Sequence, residues 1–171
     1  MNKKATESIA KEYAANEPSA TATTDADYLK IAFEEARAAE EKDEVPIGAC
    51  IVHKGKIIAR AHNLREGSKC ATHHAEILAI EEACRALGGW RLPDTTLYVS
   101  LEPCAMCAGA IINARIPRVV YSAPDKRFGA FGSLLDLSEL PLNHKPEVVR
   151  GVMSEEGANI LTEYFKKKRK K

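Results

Sequence analysis

Apolar and polar residues follow two different periods along this chain, and the switches between them lay out its elements. Thr24 and Asp25 are residue types that cap helix N-termini, and Asp27 stands in the first turn that would follow. Leu29, Phe33 and Ala36 then fall on one face at i, i+4 and i+7, which predicts a helix stopping before Pro46. Residues 47–53, IGACIVH, are apolar on both alternating faces and suit a strand covered on both sides. Lys54-Gly55 predicts a two-residue hairpin turn, and KIIARAHN, residues 56–63, returns as a second strand. Residues 64–73 read as a loop. A helix from His74 is closed by Gly88 and Gly89. Residues 95–100 and 118–123 predict buried strands on either side of a helix of small and apolar residues over 104–116. A Gly-rich loop covers 124–133 and a last short strand covers 147–152. Ser154 is expected to cap a final helix with Glu155 and Glu156 in its first turn. Ala158, Leu161 and Phe165 are its expected apolar stripe, and it ends in KKKRKK. Helix, hairpin, then strands alternating with helices describe an α/β sandwich with a mixed sheet.

Composition narrows the class. The chain has 171 residues, 45% hydrophobic and 29% charged, which suits one globular domain and excludes a mostly disordered chain, collagen or a coiled coil. No apolar run approaches the roughly 18 residues of a membrane span, so no membrane partner is expected. Lys and Arg number 25 against 24 Asp and Glu, so any basic footprint for a nucleic acid must be local. Residues 1–24 are small and polar, without the apolar core of a signal peptide, and Glu7, Glu12 and Glu17 weigh against a transit peptide. They read as a disordered extension ahead of one domain over residues 25–171, and a cytoplasmic location is expected. Five cysteines, an odd number, exclude a complete intramolecular disulfide framework and favour metal binding.

The chemistry concentrates in two places. Cys104-Ala-Met-Cys107 puts two thiols on one face of a helix's first turn, where the helix N-terminus lowers their pKa. A redox pair is one reading, although no thioredoxin-like order of elements surrounds it. A four-cysteine structural site is another, although Cys50, Cys70 and Cys84 form no second C-x-x-C. His74, at the start of the other helix, offers a nitrogen. One His and two Cys leave the fourth position of a tetrahedral zinc open, which is the catalytic pattern. His73 could take the place of His74, and Cys70 could close the fourth position. Glu76, two residues beyond His74, does not share its helix face, but in an open first turn it can reach the same pocket and move protons.

His74-Ala75-Glu76 with Pro103-Cys104-Ala-Met-Cys107 matches the H-x-E…P-C-x-x-C signature of zinc nucleobase deaminases. Across residues 25–171 the chain resembles the bacterial tRNA adenosine deaminase family, through EVPIGACIVHKGKIIARAHN, THHAEILAI, TLYVSLEPCAMCAGAIINARI, RVVY, GAFGSLLDL, LNHKPEVVRGV and YFKKKR. The resemblance implies a cytidine deaminase-like fold, a three-layer α/β/α sandwich on a five-stranded mixed sheet. It implies one Zn²⁺ per subunit on His74, Cys104 and Cys107, with Glu76 as proton shuttle. The reaction would be adenosine to inosine at the wobble position of a tRNA anticodon stem-loop, by a homodimer. Asn63, the backbone N–H of Ala75, Asp125 and Phe165 would bind the substrate. The loop departs from the family pattern at Pro124, where a basic residue is expected, and at Phe128 and Phe131, which replace smaller ones. The alternative is a deaminase of a free base or nucleoside: guanine, cytosine or cytidine. Lys126, Arg127 and the basic run 166–171 are the local charges expected to meet RNA. Asn63 could instead simply end its strand, Asp125 could punctuate the loop, and the basic tail could be a solvated helix end.

Overall fold

The structure, a computed structural model, describes residues 23–170. The extension expected over residues 1–24 therefore lies, up to residue 22, outside the described residues, as does Lys171. Helix α1 (Asp25–Glu41) opens on a capping box. Thr24 Oγ1 accepts from the Asp27 N–H at 3.3 Å, and the Asp27 carboxylate accepts from the Thr24 N–H at 3.1 Å. Its buried face, which includes Leu29, Phe33 and Ala36, is the expected stripe. Strands β1 (Gly48–His53) and β2 (Lys56–His62) are joined by Lys54 and Gly55, whose φ values of 50° and 79° are the left-handed ones this hairpin turn requires.

The expected loop 64–73 contains one helical turn, α2 (Arg65–Ser68), too short to leave a period in the sequence. Helix α3 (Ala75–Leu87) ends at Gly88 in the left-handed conformation. Strand β3 (Thr95–Leu101) leads into α4 (Ala105–Asn113), which stops three residues short of the expected Ile116; Arg115 takes a φ of 60°, which no helix tolerates. Strands β4 (Arg118–Ala123) and β5 (Glu147–Arg150) precede α5 (Ser154–Lys168).

Two expectations for α5 are corrected. Ser154 is its first helical residue, and the N-cap is Met153 in a left-handed conformation with no side-chain cap bond. The inward face is Gly157, Ile160 and Tyr164, while Ala158 and Phe165 are exposed. The cause is contact distance. At Gly157 the helix lies so close to the sheet that a Cβ would meet Ser122 Oγ and the Ser100 carbonyl, so Gly157 fixes which side faces in.

The sheet order is β2-β1-β3-β4-β5, antiparallel through β1 and parallel from β3 to β5. Side chains alternate between its faces. Ala49, Ile51, Leu97, Val99, Val119 and Tyr121 pack with Ala75, Ala79 and Ala83 of α3 and Ala108 and Ile111 of α4. Cys50, Val52, Tyr98 and Val120 pack with Tyr28, Leu29 and Phe33 of α1 and Ile160 of α5. This is the three-layer, five-stranded sandwich expected from the resemblance.

Asp25 ties α1 to the sheet. Both terminal nitrogens of Arg118 donate to its carboxylate at 2.8 Å, and the Tyr98 hydroxyl donates at 2.9 Å. The bond from Arg118 holds the Asp25 carboxyl below its ordinary value. That contribution is present above the usual carboxylate range and is lost below it, as pH falls through the lowered folded-state value. Asp25→Asn is expected to lower unfolding stability by about 1–2 kcal/mol at neutral pH and by much less at about pH 3, measured by urea denaturation at both. An equal loss at the two pH values refutes the assignment.

Candidate active site

Two helices on the same face of the sheet begin at one place. His74 is the N-cap of α3 and Cys104 the N-cap of α4, both with extended backbone (φ −76°, ψ 155° and φ −72°, ψ 172°). Cys107 lies one turn into α4, on the same face as Cys104. His74 Nδ1 is 3.7 Å from Cys104 Sγ and 3.5 Å from Cys107 Sγ, and the three donor atoms lie within 4.8 Å of one another. A tetrahedral ion with metal–sulfur bonds of about 2.3 Å and metal–nitrogen bonds of about 2.0 Å separates N from S by about 3.5 Å. The donor set fits a metal ion without rearrangement. His73 and Cys70 do not join it: the His73 Nδ1 is buried without a partner, and Cys70 Sγ lies 3.3 Å from Thr72 Oγ1.

The electrostatics agree with the geometry. The bond from Cys107, with a smaller contribution from His74, brings the Cys104 thiol down to about 4 against the effect of burial. The same bond, with burial, pushes Cys107 upward, and the Cys104 contact raises His74. These opposed shifts arise because the three donors touch one another, with the negative charge carried by Cys104. Glu76 is 4% exposed, and its Oε2 is buried with no hydrogen-bond partner. Burial pushes its carboxyl up to about 7. A partnerless carboxyl oxygen beside such a donor set marks where a proton-carrying group belongs.

These groups line a cavity of about 750 Å³. Asn63, His74, Glu76 and Cys104 line it with Val45 and Ile47, and the loop after β4 adds Asp125, Arg127 and Phe128. Helix α5 adds Leu161, Phe165, Lys168 and Arg169, and α2 adds Arg65. Phe165, 47% exposed, stands at this mouth rather than in the core, edge-on to Tyr164 at 5.2 Å. Asn63 is buried, and its Oδ1 accepts from the Ala75 N–H at 3.1 Å. The Ala75 N–H, expected to face the substrate, is therefore engaged within the protein. Asp125 both closes its loop, accepting from the Arg127 and Phe128 N–H groups at 2.9 and 3.3 Å, and lines the cavity.

Arg65 was not foreseen, because nothing in its local sequence distinguishes it from other surface residues; Leu161, expected only as apolar stripe, also lines the cavity, and Arg169 belongs to the basic tail expected to meet RNA. The basic tail is partly committed elsewhere: Lys167 pairs with Glu40 at 2.8 Å and Lys168 with Asp43 at 2.5 Å. Cys50 and Cys84 pack as small core or core-flanking residues, and His62 and His144 are hydrogen-bonded structural groups.

A mixed sheet of this order, with one His and two Cys at adjoining helix N-termini beside a buried Glu, defines the class of nucleobase-type deaminases. The chain belongs to the MafB19-like deaminase family, whose model matches residues 23–169. It is 53% identical over 150 residues to the tRNA-specific adenosine deaminase of Bacillus subtilis (strain 168), covering 87% of this chain and 93% of that protein. It is 46% identical over 145 residues to the tRNA-specific adenosine deaminase of Streptococcus pyogenes serotype M18, covering 84% and 91%. A structure solved in work on A-to-I editing by tRNA:A34 deaminases at the wobble position of transfer RNA superposes with a TM-score of 0.75 at 47% identity, covering 78% of this chain and 98% of that one. The guanine deaminase of Nitrosomonas europaea superposes with a TM-score of 0.72 at 28% identity, covering 90% of each chain. Among the described residues, no helix is long and apolar enough to cross a membrane.

Cys104→Ala is expected to lose the metal from the purified protein, because two donors at this spacing do not retain what three hold. Full metal occupancy in that variant, by elemental analysis, contradicts the donor set.

Proposed function

We propose that this chain hydrolyses the 6-amino group of adenosine to give inosine and ammonia at the wobble position of a tRNA anticodon loop. Identity near 50% to tRNA-specific adenosine deaminases over almost their whole length, with likeness to a structure solved in work on tRNA:A34 deaminases, carries the reading. His74, Cys104 and Cys107 would hold one zinc ion per chain, and the ion, when bound, supplies a water acidified to near neutral pH. Glu76 would carry one proton from the attacking water to the purine ring nitrogen beside C6 and then a second, from the new C6 hydroxyl, to the departing amine, so both protons of the water are accounted for as ammonia leaves. A carboxyl poised at about 7 both takes up and releases protons near neutral pH, as this relay requires.

The cavity suits a nucleotide taken out of its stack. Unstacking costs a few kcal/mol and least in an unpaired loop, which an anticodon provides. Asn63, its Oδ1 held by Ala75, is left with its amide NH₂ to donate to the base. Phe165 offers an aromatic face at the mouth, and Arg65, Arg127 and Arg169 offer positive charge to the backbone phosphates. Asp125 contacts RNA beside the target base. The cytoplasm is the place of action proposed with this substrate.

A homodimer is part of the proposal. Met106 on α4 and Leu134, Leu135, Leu140 and Leu142 on the long β4–β5 connection are exposed by 37–58%, an apolar surface that a second copy would cover. Light scattering at micromolar concentration is expected to give twice the chain mass, and a monomer mass contradicts this.

The deciding experiment offers the protein an adenosine-bearing anticodon stem-loop beside free guanine, adenosine and cytidine. Inosine, which sequencing reads as guanosine, is expected in the RNA, with no turnover of the small molecules. Turnover of free guanine alone would favour the free-base reading instead. Glu76→Ala is expected to keep zinc and RNA binding while losing at least about 10²-fold in rate, and a rate within about threefold of the parent contradicts its role.

A further inference from the structure

Glu102 is a buried carboxylate that the mechanism above does not use. It is 2% exposed and lies in the short link between β3 and Cys104. Its partners are three backbone N–H groups. Asp125 donates to Oε2 at 3.0 Å, and Phe131 and Ser133 donate to Oε1, each at 3.0 Å. A carboxylate is the side chain that can do this, because its two oxygens offer about four acceptor positions and no donor.

The three donors bracket one arc of chain. Asp125 stands at its start and Phe131 and Ser133 at its end, and between them lie Arg127 and Phe128, which line the cavity with Asp125. The backbone on either side of Glu102 joins the same contact. Its N–H donates to the Ala123 carbonyl at 2.8 Å, and the Pro103 carbonyl accepts from the Ala130 N–H at 2.9 Å. Gly129 presses against the carboxyl so closely that a Cβ there would collide with it and with the Asp125 carbonyl. Two residues further along the same link is the metal ligand Cys104.

We infer that Glu102 is a positioning residue, which fixes the 125–131 arc relative to the His74–Cys104–Cys107 donor set and so sets how substrate enters over the metal. The inference rests on the proposed RNA substrate for its kinetic consequence and on geometry alone for its structural one. Loss of the carboxylate frees both ends of the arc while α3, α4 and the donor set keep their own packing.

The test uses Glu102→Gln, whose single carbonyl oxygen serves one end of the arc and whose NH₂ opposes an N–H at the other. Hydrogen exchange at the amides of Asp125, Phe131 and Ser133 is expected to accelerate by about tenfold or more, while amides of α4 exchange as in the parent. Zinc content is expected to stay at one per chain. The KM for the anticodon stem-loop is expected to rise about tenfold, with kcat changed by less than about threefold. Gly129→Ala, which displaces the same carboxyl from the other side, is expected to reproduce the pattern and serves if the Gln variant fails to fold. Parent-like exchange at the three amides overturns the inference whatever the substrate, and so does a fall in kcat with unchanged KM. If the parent protein leaves the stem-loop unmodified, the RNA reading fails, and the exchange result still decides the role of Glu102.

Discussion

Everything chemical in this protein depends on two helices starting at the same point. Three donor atoms within 4.8 Å of one another must come from α3 and α4, which are separate elements with a strand between them in sequence. Their N-termini stay together because both helices lie on one face of the sheet with small residues inward. Ala75, Ala79 and Ala83 of α3 and Ala108 of α4 are fully buried there. Small side chains bring the helix axes close to the sheet, and larger ones would spread the donors apart. Both ligand-bearing caps also sit where helix N–H groups point outward, so α4 favours the negative charge of the Cys104 thiolate at its N-terminus.

The buried Glu76 is the costly part of that arrangement. A buried carboxyl oxygen with no partner loses hydration without recovering it from the protein. The fold tolerates this because the surrounding helices are fixed by the alternating core of a five-stranded sheet, which does not deform to relieve one site. The strain appears as a raised pKa, which is the property a proton relay at neutral pH requires.

The rim of the cavity is held in a different way. Its loops have little regular hydrogen bonding, and acidic side chains substitute for it. Glu44 accepts from the Gly67 N–H at 2.7 Å and fixes the turn carrying Arg65. Asp125 closes its own loop, and Glu102 holds that loop from below. Backbone N–H groups in irregular segments need acceptors, and a buried carboxylate satisfies several at once. The walls of the cavity are therefore set by apolar packing and its mouth by polar clamps.

Most of the framework was legible in the sequence because it is written in local periods. The capping box at Thr24, the Lys54-Gly55 turn and the doubly covered strands each depend on residues a few positions apart. His74, Glu76, Cys104 and Cys107 were legible for a related reason, since metal ligation restricts both residue type and spacing. Four things were decided only by the fold. The rotation of α5 was set by how closely Gly157 meets the sheet, which turned Phe165 outward and Tyr164 inward. The Ala75 N–H was engaged by Asn63, twelve residues away. Arg65 reached the cavity from a segment with no motif. Glu102 found its three donors from 23 to 31 residues further on. Each is a contact between segments distant in sequence, and composition and period carry no information about which distant segments meet; only the closure of the sheet and the packing of its two helical layers determine that.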